Sequence, residues 1–322
     1  MVTLVIGEVL PMNKIKIILD TDIGDDIDDA FALYLLMQEP KSDLLGVTTV
    51  FRNARQRAKM SSYLINKFNK KIPVFAGCDI PLIAKIENLI PPEIQAKETK
   101  DKYGKYYLPQ FMEEMEKADI STTHAIDFIV DTIHKYPHEV VICAIGPLTN
   151  IAMALRKDSS IIPLIKEIRI MGGDPTNHNT KEWNIFCDPE AAHIVFNSGV
   201  PIYQVGLNVT LKCQLTQRYR NILQSIDEER FSIIAKMMDK WFKHYEFTVP
   251  VMHDPLAVAT LFGDFCEFKK IKLTVGLEND LRSVTYVDES TCDVMSATEV
   301  NVEKFFKYFI KTIFEIDLKE DL

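Results

Sequence analysis

Asp20-Thr21-Asp22-Ile23-Gly24-Asp25-Asp26-Ile27-Asp28-Asp29-Ala30 places six carboxylates within ten residues. An apolar run at 15–19, with Lys16 inside it, precedes the stretch, and Ala30, Leu33, Tyr34 and Met37 follow it at helical spacing. That is the pattern of a buried strand, a tight acidic loop and a helix. Acidic groups beside a helix N-terminus are ordinary, because its free N–H groups and dipole favour negative charge. Six in so short a loop repel one another unless a cation sits among them, and clustered carboxylate oxygens suit a hard cation such as Ca²⁺ or Mg²⁺. Charge runs are more often solvated faces or tails. This one joins an apolar strand to an apolar helix with only Gly24 as punctuation. It therefore occupies the carboxyl end of a strand, where α/β sheets bind ligands, and it reads as a metal site.

Outward from that loop, strand patterns at 15–19, 44–50, 72–76, 140–145, 167–171 and 202–207 alternate with helical patterns at 28–38, 54–68, 122–135, 148–156 and 189–197. Such alternation predicts an α/β fold with a mostly parallel sheet and right-handed crossovers. Beyond Thr210 the pattern turns more helical, at 227–245, 254–261 and 302–314, with a mixed β region at 271–287. The stretch 83–108, rich in Lys, Glu and Pro, reads as a surface excursion.

The 322 residues are 47% hydrophobic and 26% charged, a globular balance, and the formal net charge of −9 with scattered Lys and Arg argues against nucleic acid. Six cysteines (Cys78, Cys143, Cys187, Cys213, Cys266, Cys292) lie far apart with no C-x-x-C pair, the pattern of reduced thiols. Residues 1–12 lack a basic n-region and a cleavage pattern, and no apolar run reaches the ~20 residues that span a bilayer. The expectation is a cytoplasmic protein without membrane association, with residues 1–12 as an N-terminal extension and 13–322 as a single catalytic domain.

Polar residues collect just after the strands: Asn53, Asp79, Asn150 and Asp174. In a parallel sheet they converge on one edge, around the acidic loop. Each has a plainer reading. Asn150 suits a helix start, and Asp188 before Pro189 is an N-cap. A cap does not explain Glu182 and Asn184, which share one face if the segment is extended. Asp254, in His253-Asp254-Pro255, is either a helix cap or a ligand.

With these pieces in order, Asp20-Thr21-Asp22…Asp28-Asp29-Ala30, Thr48-Thr49-Val50…Asn53, Ala76-Gly77, Gly146-Pro147-Leu148-Thr149-Asn150, Met171-Gly172-Gly173, Glu182-Trp183-Asn184…Asp188-Pro189-Glu190 and His253-Asp254-Pro255, the chain resembles the nucleoside hydrolase family of the inosine/uridine-preferring type, from about residue 13 to about residue 316. The resemblance implies an open, mainly parallel sheet with helices on both faces, in homodimers or homotetramers. It implies Ca²⁺-dependent hydrolysis of the N-glycosidic bond of a small-molecule ribonucleoside to ribose and base, in nucleoside salvage. By position, Asp22 matches the general base, which also touches the metal. Asp29, Asp254 and the carbonyl of Ile145 match the other metal ligands. Asp28, Asn53, Glu182 and Asn184 match groups that hold the ribose hydroxyls, and Met171 lines the sugar pocket. His253 matches a position proposed to protonate a leaving purine, with orientation of Asp254 as the alternative.

The residue types suit that chemistry on their own terms. Glycoside cleavage passes through an oxocarbenium-like species that carboxylates stabilise. Calcium acidifies water less than zinc does, so a nearby carboxylate must complete the deprotonation. The chain also departs from the family pattern. Its acidic loop carries two additional residues after Gly24, which leaves Asp25 and Asp26 as competitors for the metal or as outer groups. Arg52 stands where a Gly usually precedes the ribose-binding Asn. A Gly-His pair expected after Gly77 is missing, and Trp241, His244 and Tyr245 either cover the base or serve as core contacts of their helix. Two other functions compete: a Mg²⁺-dependent phosphatase with an Asp nucleophile, and a non-catalytic, Ca²⁺-stabilised nucleoside or sugar binder.

Overall fold

The computed structural model describes residues 13–83, 100, 106–224, 229–245 and 249–318. The proposed extension 1–12 and most of the 83–108 excursion lie outside them. Among the described residues, nine strands form one sheet in the order β3-β2-β1-β4-β5-β6-β9-β7-β8. They are β1 (Ile15–Thr21), β2 (Ser42–Thr49), β3 (Val74–Ala76), β4 (Val140–Ala144), β5 (Glu167–Met171), β6 (Ile202–Val205), β7 (Cys266–Val275), β8 (Thr285–Val287) and β9 (Asp293–Val300). β1 to β6 pair in parallel, as the alternating pattern predicts, and β9 extends the parallel set beside β6. β7 and β8 close that edge antiparallel.

Successive side chains of a strand point to opposite faces, and β1 shows the consequence. Ile17 and Leu19 enter one apolar cluster, and Ile18 enters the other. The first cluster takes α1 (Asp28–Gln38) and α2 (Ala54–Lys67). The second takes α3 (Ala125–Lys135), α4 (Thr149–Lys157) and, beyond the short α5 (Trp183–Cys187), α6 (Pro189–Phe196). The later helices are α7 (Leu207–Thr210), α8 (Gln217–Gln224), α9 (Glu229–His244), α10 (His253–Ala259) and α11 (Val302–Phe314), and α9 to α11 return to the first cluster. Helices on both faces bury the sheet and leave only its edges and strand ends to carry function.

Some boundaries move. The strand expected through 207 stops at Val205, because Gly206 turns the chain into α7. The segment 183–187 is helical rather than extended, so Glu182 and Asn184 do not share a strand face. β9 was not anticipated. Its buried Ser296 donates to the buried Gln204 Oε1 at 2.6 Å, a polar pair standing where an apolar alternation would have marked a central strand.

Candidate active site

The carboxyl ends of β1, β4 and β5, together with α5, α9 and α10, surround a cavity of about 540 Å³. Asp22, Asp28, Asp29, Ile145, Met171, Glu182, Asn184, His253 and Asp254 all line it; of the residues singled out from the sequence for catalysis, substrate or metal, Asn53 alone does not.

Within the cavity stands a triangle of buried carboxylates. Asp28, Asp29 and Asp254 each offer an oxygen, all within 4.8 Å of one another, and all three residues are buried. Asp254 reaches the triangle across the fold: its backbone N–H donates to Asp28 Oδ2 at 3.0 Å although the two lie 226 positions apart. It caps nothing, since Met252 is the N-cap of α10 and no side-chain cap bond forms there. Burial pushes the Asp28, Asp29 and Asp254 carboxyls well above the ordinary carboxylate range, and repulsion from the neighbouring carboxylates, Asp22 and Asp26 among them, pushes them further. Asp22 lies beside the triangle, 6% exposed. Its pKa is pushed up to about 7 by burial, which the charge of Arg57 opposes. Hard oxygen donors crowded in a low-dielectric pocket fit a divalent cation, which would remove the repulsion that burial amplifies. The tightest set contains Asp28, which the resemblance gave to ribose, while Asp22 and the Ile145 carbonyl stand around it.

The walls are braced by groups that act through others. Glu182 is the N-cap of α5 and accepts from Asn184 N at 2.9 Å, Ile185 N at 3.0 Å and Gly173 N at 3.1 Å, so its carboxylate is fixed before any ligand arrives. Asn184 Nδ2 donates to Ile145 O at 2.9 Å and Met171 O at 3.1 Å, joining the ends of β4 and β5. Asn150 is more than a helix start: its Nδ2 donates to Asp20 Oδ1 at 2.8 Å and Thr49 O at 3.0 Å, and its Oδ1 accepts from Cys78 N at 2.9 Å. Gly146 leaves room for the Asp22 carboxylate, since a Cβ there would stand 2.8 Å from Asp22 Oδ1. Asp188 caps α6, as expected, accepting from Ala191 N at 3.0 Å.

Arg57 was not singled out from the sequence. It is fully buried in α2, donates to the carbonyls of Asp22 and Ile23, the latter at 3.0 Å, and pairs with Asp25 at 2.8 Å. Asp25 also accepts from the Tyr106 hydroxyl, so one of the two additional acidic residues serves as a structural anchor. No pattern marks a single Arg in a polar helix start as buried; the unbalanced charge of the loop was the available signal.

Asn53 is turned away. Its Nδ2 donates to Tyr106 O at 3.0 Å and to Gln56 Oε1 at 3.4 Å. Phe51 and Arg52 both have left-handed backbone, with φ of 68° and 52°, and that double turn presents Arg52 to the cavity in place of Asn53. The rings of Tyr106, Trp183, Trp241 and Tyr245 also line the cavity, so the end of α9, which bears Trp241, and Tyr245 just beyond it face the site as well as the core. His253 Nδ1 lies 2.7 Å from Thr210 Oγ1, and burial lowers the imidazole pKa to about 4, so the ring is neutral at neutral pH.

Comparison with known proteins decides the class. The profile of the inosine-uridine preferring nucleoside hydrolase family matches residues 17–307. This chain belongs to that family. An inosine-uridine preferring nucleoside hydrolase of Leishmania major is 31% identical to this nucleoside hydrolase over 310 residues, 90% of this chain and 95% of the relative. The pyrimidine-specific ribonucleoside hydrolase RihB of Escherichia coli is 37% identical over 208 residues, 62% of this chain and 61% of its own length. Among solved structures, a purine-preferring ribonucleoside hydrolase from Gardnerella vaginalis superposes with a TM-score of 0.81 at 28% identity, covering 92% of this chain and 98% of that one. The plant nucleoside hydrolase PpNRh1 shares the fold, with a TM-score of 0.78 at 22% identity over 93% of this chain and 98% of its own. The nucleoside hydrolase is therefore an enzyme, an N-glycosyl hydrolase of a metal-dependent family acting on small-molecule nucleosides, which sets aside the phosphatase and the inert binder. Among the described residues no helix is long and apolar enough to cross a membrane.

Proposed function

We propose that this enzyme hydrolyses the N-glycosidic bond of ribonucleosides to ribose and free base in a Ca²⁺-dependent reaction with Asp22 as general base. The observation that supports it is the buried triangle of Asp28, Asp29 and Asp254 beside Asp22, assembled from both ends of the chain in one cavity. Asp22, Asp29 and Asp254, with the carbonyl of Ile145, would hold the ion, and Asp28 stands beside them. When bound, it supplies a fixed positive charge that orients and acidifies water and the sugar hydroxyls. Asp22 takes the proton from the attacking water. Water attacks C1′ on the face opposite the base, and the base leaves with the bonding electron pair, so the configuration inverts. The carboxylates of Asp22 and Glu182 stabilise the positive charge that develops on the sugar ring. Asp28, Glu182 and Asn184 hold ribose hydroxyls, and Met171 lies against the ring. The neutral His253 either donates a proton to the base or orients Asp254.

Residues 13–322 act in this reading as a single catalytic domain, in nucleoside salvage, as a homodimer or homotetramer. The six cysteines are all unpaired, which supports the reducing cytoplasm as its place. The test is incubation with a panel of purine and pyrimidine ribonucleosides, with Ca²⁺ and after chelation. Free ribose and base are expected in equal amounts, the α-anomer first by NMR, with the activity lost on chelation. Absence of release from every nucleoside, or release undiminished by chelation, overturns the proposal.

A further inference from the structure

Gly172-Gly173-Asp174, the turn that follows β5, is clamped from β6, α7 and β8. Gly172 N donates to Val205 O at 3.3 Å, and Gly172 O accepts from Gln204 Nε2 at 2.7 Å. Gly173 O accepts from Leu207 N at 2.9 Å. Asp174 N donates to Thr285 Oγ1 at 2.9 Å, although the two residues lie 111 positions apart. The remaining N–H of the turn, that of Gly173, points to the site: it donates to Glu182 Oε2 at 3.1 Å.

The side chains of the clamp are buried, Gln204 fully and Thr285 1% exposed. Ser296 Oγ donates to Gln204 Oε1 at 2.6 Å, which fixes the amide with its Nε2 towards Gly172 O. Thr285 lies directly on the turn. Gly173 has left-handed backbone, with φ of 75°, and a Cβ there would stand 2.5 Å from Thr285 Cγ2. Packing against a glycine asks only for an apolar side chain of that size. The hydroxyl answers a different need, the buried Asp174 N–H, which a valine would leave without an acceptor.

The Glu182 carboxylate hangs between two supports. Its Oε1 accepts from Asn184 N, and its Oε2 is shared by Ile185 N of α5 and Gly173 N of the turn. A shift of the turn therefore moves or releases one side of the carboxylate. In the reaction proposed above, on which this inference rests, Glu182 holds a ribose hydroxyl and faces the positive charge that develops on the ring. Both contributions depend on where its oxygens stand, and small misplacements of such groups are costly in rate.

We propose that Thr285 is a positioning residue for the hydrolysis: through the Asp174 N–H and the Gly173 turn it sets the Glu182 carboxylate against the ribose, with Gln204 as the second anchor of the same turn. The short strand β8, far from the cavity in sequence, thereby serves the site. Because the interaction of Glu182 with the ring grows towards the transition state, losing its placement lowers kcat more than it raises KM.

The test is a double-mutant cycle read as kcat/KM on inosine. Thr285→Val keeps the shape and removes the acceptor. It is expected to lose about 10-fold, within the range over which members of one hydrogen-bonded network couple, with calcium affinity unchanged by equilibrium dialysis. Thr285→Ser, which keeps the hydroxyl, is expected to restore most of the rate. In a Glu182→Gln background, Thr285→Val is expected to cost less than about 2-fold more, because its coupled partner is already altered. If the Val variant does not fold, Thr285→Ala, which leaves space for water at the Asp174 N–H, takes its place in the cycle. The same fold-loss in both backgrounds is the mark of a merely structural role and overturns the assignment, as does an unchanged rate in Thr285→Val or a wild-type rate in Glu182→Gln. A wild-type protein that releases base from no nucleoside overturns the hydrolase reading itself.

Discussion

Asp22 and Asp254 line the same cavity and differ in the work their carboxylates are placed to do. Asp254 belongs to the tightest oxygen set, and Asp22 stands next to that set with Gly146 clearing the space against its carboxylate. Replacing each with Asn keeps shape and removes charge, so the two roles separate. Asp22→Asn is expected to lose roughly 10²- to 10⁴-fold in kcat, the usual scale for a missing general base, while losing less calcium affinity than Asp254→Asn. Asp254→Asn is expected to lose calcium affinity first, and activity with it. Equilibrium dialysis against Ca²⁺ alongside steady-state kinetics reads both. Stoichiometric, tight calcium in Asp254→Asn would show that Asp254 is not needed to hold the ion, and near-normal kcat in Asp22→Asn would remove it from the chemistry.

Among the elements, β1, its loop and α1 were legible because hydrophobic period and charge agree there: a strand run, a helix stripe and carboxylates that neither accounts for. β9 was not, because Ser296 and Gln204 satisfy each other inside the sheet and break the apolar alternation. Asp254 was ambiguous because a cap and a first-turn ligand put the same residue at the same helix start. Asn53 was misplaced because nothing in Phe51-Arg52-Asn53 announces two left-handed residues. Arg57 was missed because its partners are backbone carbonyls of another element. That last contact yields a prediction about how α2 is docked. Arg57→Met leaves the carboxylate of Asp25 in a largely buried site without its ion partner, a change that typically costs about 3–5 kcal/mol. Adding Asp25→Asn removes the stranded charge, so the double variant is expected to be more stable than Arg57→Met alone. Urea unfolding midpoints of the two single variants and the double measure the coupling. Strict additivity would mean that the loop does not depend on this pair.

At the scale of the whole molecule, one sheet brings acidic groups from both ends of the chain into a place where water cannot screen them, and the fold's stability inherits the consequence. A carboxyl whose pKa is higher folded than unfolded keeps its proton in the native state while the unfolded chain has released it, so stability falls as pH rises across that interval. For Asp22 the interval runs from the ordinary 3.8 to about 7, and Asp20 moves over the same range, burial being the cause in both. Asp28, Asp29 and Asp254 shift in the same direction. In chelator, the melting temperature is therefore expected to fall as pH rises through that interval and to level off above it. A cation that binds the ionised carboxylates reverses the sign of the effect: it adds RT ln(1 + [L]/Kd) to the native state, and its Kd tightens as the carboxyls lose their protons. Saturating Ca²⁺ should accordingly raise the melting temperature little near the acid end and most above about pH 7, where the folded Asp22 is ionised. Thermal unfolding across pH, with chelator and with Ca²⁺, checks it. Parallel curves in the two conditions would mean that the cation binds somewhere other than this cluster.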